Sequence, residues 1–103
     1  MRIAISSTGN TVTSKVDSRF GRCAYFAIYD SETGKTEFVN NTAKTAASGA
    51  GPAAVQIVAA QNVEKIVSHE FGFKIKSLLN ELNIQMIGIN DEKTIQDIID
   101  LHK

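Results

Sequence analysis

The stretch VEKIVSHEFGFKIKSLLNELNIQMIGI, residues 63–89, decides the fold. It opens on a short apolar strand pattern at 63–68. Phe71, Ile75, Leu78, Leu79 and Leu82 then recur at spacings of three and four, the period of an amphipathic helix over 71–82. Asn83 is suited to stop that helix in the left-handed region, and IQMIGI (84–89) reads as a second strand. Strand, helix, strand is a crossover unit, which lays its two strands parallel in one sheet.

Upstream, PAAVQIVAAQ (52–61) reads as another helix. Pro52 fits its first turn, where a missing N–H costs nothing, and Asn62 stops it. Downstream, Asp91 is expected to cap a final helix with Ile95, Ile98, Ile99 and Leu101 on its inner side. Toward the N-terminus lie three further strand patterns: RIAIS (2–6), AYFAIYD (24–30) and the more polar KTEFVN (35–40), expected at an edge. SETG (31–34) turns the chain between the last two, with Gly34 at a positive-φ position. Segments 7–17 and 41–51 are small and polar, and the loops 7–17 and 41–50 are expected to hold few core anchors and to be the least ordered.

The element order is β-β-β-α-β-α-β-α: a meander followed by crossover units. This predicts an α/β fold with a five-stranded mixed sheet in the order 3-2-1-4-5 and strand 2 antiparallel. The 103 residues are expected to form a single domain spanning 1–103. Eleven basic residues balance eleven acidic ones, so no basic footprint points to nucleic acid. The one cysteine cannot form an intrachain disulfide. No run approaches the ~18 apolar residues of a membrane span, and MRIAISSTGN lacks the features of a signal peptide. A cytoplasmic protein without membrane partners is the expectation.

In such sheets ligands bind beyond the carboxyl ends of the parallel strands, where the winding reverses. That point falls between strands 1 and 4. SRFGRC (18–23), SGAG (48–51) and SHEFG (68–72) all reach this edge. The candidate site is therefore Arg19, Arg22, Cys23, Ser48, Gly49, Gly51 and His69. The arginines offer charge and forked donors, and the glycine loop offers amides at a helix start. Cys23 and His69 are the only candidates there for soft or borderline metal ligation. Plain readings stand beside these: Cys23 as a small buried hydrophobe, the arginines as solvated loop charges, Phe20 as a core anchor, and 48–51 as a flexible lead-in. The P-loop lysine is absent.

VDSRFGRCAYFAIYD, SGAGPAAVQIVAAQNVEKIVS and FGFKIKSLLNELNIQMIGI together resemble the dinitrogenase iron–molybdenum cofactor biosynthesis family, the nitrogenase-accessory-factor-like proteins. The resemblance runs from Arg2 to about Ile99. It implies a three-layer α/β/α domain with a ribonuclease-H-like motif. It also implies a non-catalytic carrier of an iron–sulfur cluster or an iron–molybdenum cofactor precursor, with metal-cluster assembly proteins as partners. Arg19 stands where cluster-binding members often carry His; arginine cannot ligate a metal but can pair with an anionic cluster. The alternative is a regulatory module for a small anionic metabolite or a protein. An enzyme using Cys23, His69 and Glu70, or a nuclease using Asp17, Asp30 and Glu70, has only residue types in its favour.

Overall fold

A computed structural model describes residues 1–103. Its elements are β1 (Arg2–Ser7), β2 (Tyr25–Asp30), β3 (Thr36–Asn40), α1 (Ala50–Ala59), β4 (Lys65–Ser68), α2 (Phe73–Glu81), β5 (Gln85–Gly88) and α3 (Ile95–Leu101). The strands make one five-stranded sheet ordered β3-β2-β1-β4-β5. β2 is antiparallel to both neighbours, and β1, β4 and β5 run parallel. The expected order holds, with polar β3 at an edge.

Strand alternation sorts the core into two layers. Ala4, Phe26, Ile28 and Ile66 face Val55, Val58, Ile75 and Leu79 of α1 and α2. Ile3, Ile5, Ala27, Tyr29 and Val67 face Ile95, Ile98 and Ile99 of α3. The period-two strands thus meet period-3.6 helices on both sides, giving α/β/α layering. Asn62 and Asn83 take φ of 56° and 58°, and Gly34 takes 76°, as their stop and turn roles require. No helix is long and apolar enough to cross a membrane.

Several boundaries differ from expectation. α1 begins at Ala50 behind Gly49, so Gly51 and Pro52 lie inside its first turn. α2 begins only at Phe73, behind Gly72. Phe71 lies outside the helix and packs on the core, and Leu82 is exposed. Leu101 is 72% exposed: the buried stripe of α3 is Ile95, Ile98 and Ile99, and residue 101 falls off that face at 100° per residue.

Asp91 does not cap α3. Thr94 does: its Oγ1 accepts from the Asp97 N–H at 3.1 Å, and Asp97 Oδ2 accepts from the Thr94 N–H at 3.0 Å. This reciprocal capping box satisfies two helix-end donors at once, while Asp91 pairs with Lys93 at 3.4 Å. Thr94→Ala should cost about 1 kcal/mol of unfolding free energy, and Asp91→Ala almost none. Urea titration of both variants checks the assignment; equal losses would contradict it.

The polar segments are better anchored than expected. Val16 is buried and bridges to Ser7, and Lys15 bridges to Thr94. The carbonyls of Ser14 and Val12 accept from the N–H groups of Ile95 and Gln96, each at 2.9 Å. Segment 8–17 is thereby fastened along the start of α3. In segment 41–49, Asn41 and Ala43 are buried.

Candidate functional site

The carboxyl edge of β1 and β4 gathers the segments that topology placed there. Asp17 Oδ1 accepts from the Arg19 N–H at 3.0 Å, turning the chain into SRFGRC. Arg19 then bridges to Glu70 along the backbone, and its side chain is exposed. Phe20 is buried, with ring centroids 5.3 Å from Phe26 and 5.9 Å from Phe71. It is the anchor that holds the loop down.

Gly21 lies directly on the first turn of α1. A Cβ at Gly21 would sit 3.0 Å from the Cα and N of Gly51, closer than a side chain tolerates against backbone. A Cβ at Gly51 would in turn meet Ile75 Cδ1 of α2 at 2.5 Å. Two glycines thus permit SRFGRC, α1 and α2 to close up at one point. Ser48 and Gly49 are exposed beside it. The N–H groups of Ala50 and Gly51 have no hydrogen-bond partner, α1 has no side-chain cap, and its first turn carries no acidic residue. By contrast Ile95, Gln96 and Asp97, at the start of α3, all have acceptors. The open end of α1 is suited to an anion by free donors and by the helix dipole.

Three expected site residues are placed differently. Arg22 is half-buried, and its Nη1 donates to the carbonyls of Lys44 at 3.0 Å and Ala46 at 2.6 Å. That nitrogen is used to fasten segment 44–46. Cys23 is fully buried among core residues, and its thiol donates to the Phe20 carbonyl at 3.2 Å. Burial, reinforced by the Asp17 charge, pushes the thiol from 9.0 up to about 12. In this conformation Cys23 presents neither a thiolate nor an accessible sulfur to a metal or a substrate.

His69 lies elsewhere at the same edge. Its Nδ1 is 3.0 Å from the Ile89 carbonyl, which can only accept, so Nδ1–H donates. It lines an open cavity of about 450 Å³ together with Lys15, Asp17, Ser18, Glu70 and Glu92. Lys15 Nζ sits 2.7 Å from Glu92 Oε1, and that hydrogen bond holds the Glu92 carboxyl below its usual range. The cavity is acidic on balance and does not include Cys23. The joint ligation expected of Cys23 and His69 therefore lacks geometry: one sulfur faces the core and the imidazole faces an acid-lined cleft. Nowhere do three or more His, Cys, Asp or Glu side chains converge as a metal cage. Asp30 pairs with Arg2 at 3.8 Å, on the strand end remote from Asp17 and Glu70, so the nuclease carboxylates do not meet.

Sequence reading missed Asn41, the residue that organises this edge. It is fully buried. Its Nδ2 donates to the carbonyls of Gly21 at 3.0 Å and Cys23 at 2.9 Å, and its Oδ1 accepts from the Ala43 N–H at 3.1 Å. It ties SRFGRC to the segment leading into α1.

Comparison with known proteins gives concordant results. The apo form of the orange protein from Desulfovibrio gigas superposes with a TM-score of 0.92 at 28% identity, over 98% of this chain and 85% of that one. A NifB candidate protein from Thermotoga, solved by NMR, superposes with a TM-score of 0.84 at 35% identity, over 98% and 85% of the two chains. An uncharacterized protein of Methanocaldococcus jannaschii is 29% identical over 93 residues, covering 87% of this chain and 75% of its own. The family profile described as dinitrogenase iron–molybdenum cofactor matches residues 1–103. With its whole length matched and its fold shared, the chain belongs to the dinitrogenase iron–molybdenum cofactor family.

Proposed function

We propose that this protein is a non-catalytic carrier that holds an anionic iron–sulfur cofactor, or a precursor of the iron–molybdenum cofactor, for transfer between assembly proteins. Family membership points to metal-cluster binding or biosynthesis. The observation that supports a carrier is the open first turn of α1, with the Ala50 and Gly51 N–H groups free and SRFGRC packed against it. The start of α1 and SRFGRC supply donors and the Arg19 charge rather than inner-sphere ligands. The cargo is then gripped through its anionic surface atoms: by Arg19, by the amides around Ser48, Gly49 and Gly51, and by a loop whose shape Arg22 maintains. Cys23 contributes packing, and His69 borders the site from the acidic cleft.

The test is anaerobic reconstitution with iron and sulfide, with and without molybdate, followed by absorbance and sulfide analysis. The parent is expected to hold a coloured complex, and Arg19→Ala to weaken it by about 1.5–3 kcal/mol for the charged hydrogen bond removed. Arg19 is the cleaner probe, because Arg22→Ala also frees segment 44–46. Cys23→Ala is expected to retain the complex. Loss of the complex in Cys23→Ala with Arg19→Ala unaffected would replace the outer-sphere grip by direct thiolate ligation.

A further inference from the structure

α1 follows β3 and α2 follows β4, two strands that run in the same direction, so both helices begin at the same edge. Ile75 of α2 lies against both Gly51, in the first turn of α1, and Gly72, which caps α2: its Cγ1 is 3.1 Å and 3.9 Å from their respective Cβ positions. The two helix starts are therefore neighbours. α2 repeats the features of α1. It is capped by glycine, has no side-chain cap and no acidic residue in its first turn, and leaves the Phe73 and Lys74 N–H groups without partners.

A second observation lies beneath them. Ser68 ends β4 with no exposed surface, and its Oγ has no hydrogen-bond partner. Ile66 faces the α1/α2 layer and Val67 the α3 layer, so alternation directs Ser68 toward α1 and α2, at the sheet edge where both helices start. Ser6, one step beyond the Ile5–Val67 pair on β1, is also fully buried, and its hydroxyl has only two long contacts of 3.4 Å. A desolvated hydroxyl without a partner destabilises a fold. Such exceptions to internal consistency concentrate where a protein meets a ligand.

We propose that the neighbouring starts of α1 and α2, with Ser68 buried beneath them, form a two-helix binding site for a small tetrahedral oxyanion, free or as the anionic end of a larger ligand. Every group offered there is a donor: four amides, a hydroxyl, and the exposed Lys74 and Arg19 nearby. Glu70, the one carboxylate of the connecting segment, lines the acidic cleft instead. The site deepens the carrier reading, which assigned only the α1 side, and it rests on that reading for its place in function.

Titration of the ¹⁵N-labelled chain with orthophosphate, sulfate and molybdate at constant ionic strength tests it. The Ala50, Gly51, Phe73 and Lys74 amides are expected to move along one saturation curve, while Ile95 and Gln96, already capped, stay still. Ser68→Ala should weaken binding about tenfold and leave the ligand-free melting temperature equal or higher, because the lost hydroxyl had no partner. Shifts confined to α1, unsaturable shifts scattered over the surface, or unchanged affinity in Ser68→Ala would each overturn the two-helix site. Failure of cluster uptake with the shared saturation curve intact would defeat the carrier reading alone. Cluster uptake with α2 amides unmoved by any of the three anions would defeat the two-helix site alone.

Discussion

Asn41→Ala is expected to lower the unfolding free energy by about 2–4 kcal/mol, a large fraction of the 5–15 kcal/mol typical of a domain. The side chain is fully buried and makes three hydrogen bonds shorter than 3.2 Å. Alanine leaves the carbonyls of Gly21 and Cys23 and the N–H of Ala43 without these partners. An unsatisfied buried group costs about 1–3 kcal/mol, and partial hydration of the loosened loop offsets some of that. Asn41→Asp should fare no better, since it removes both donors and buries a charge. Urea denaturation with an unchanged m-value gives the loss. The same variant should bind its anion poorly, because Gly21 is no longer held against Gly51. A loss below about 1 kcal/mol would mean that the loops are held by Phe20 and Arg22 alone.

The second large effect is an alkaline limit set by Cys23. Its thiol ionises at 9.0 when unperturbed and at about 12 in the folded chain, chiefly through burial. Between those values the unfolded state releases the proton and the folded state keeps it. Fewer protons on the unfolded state means that stability falls as pH rises. The contribution is fully present below pH 9 and declines above it, approaching about 1.4 kcal/mol per pH unit. The full shift amounts to about 4 kcal/mol near pH 12. The informative quantity is the difference in slope between the parent and Cys23→Ala, which isolates the thiol. Equal slopes from pH 9 to 11 would show that the thiol ionises without unfolding. At pH 8 iodoacetamide should leave the folded chain unlabelled.

The sheet was legible because its evidence is periodic. Phe71 to Leu82 and the strands at 63–68 and 84–89 state a crossover, and the two asparagine stops mark its joints. The meeting of SRFGRC, the start of α1 and SHEFG at one sheet edge followed from topology alone. The orientations of its side chains did not. Cys23 precedes β2, where alternation has not yet begun, so its direction depends on the Phe20 anchor and on Asn41. Arg22 finds carbonyls whose positions are set by the path of segment 44–46, which no pattern announces. His69 follows Val67 and Ser68 off the strand into a cleft where adjacent Glu70 is joined by Asp17 and Glu92 from distant segments. Asn41 looked like any loop asparagine; only burial distinguishes it. The α3 cap, in contrast, was written as Thr94-x-x-Asp97 and was obscured by the more N-terminal Asp91.

The fastening of segment 8–17 along α3 has a bearing on how the chain acquires its shape. β1 is the earliest strand in sequence yet the middle strand of the sheet. The loop that leaves it makes three of its backbone hydrogen bonds with Lys93, Ile95 and Gln96. While a ribosome is still making the middle of this protein, those three partners do not yet exist. The meander can pair as soon as it emerges, but the loop and α3 must order together, across nearly the whole length of the polypeptide. Closure between such remote segments carries the entropic cost that slows folding in proteins of high contact order. The last step of folding is thus assigned to one flank of the sheet, while the opposite flank, where α1 and α2 open their amides, can be assembled before it.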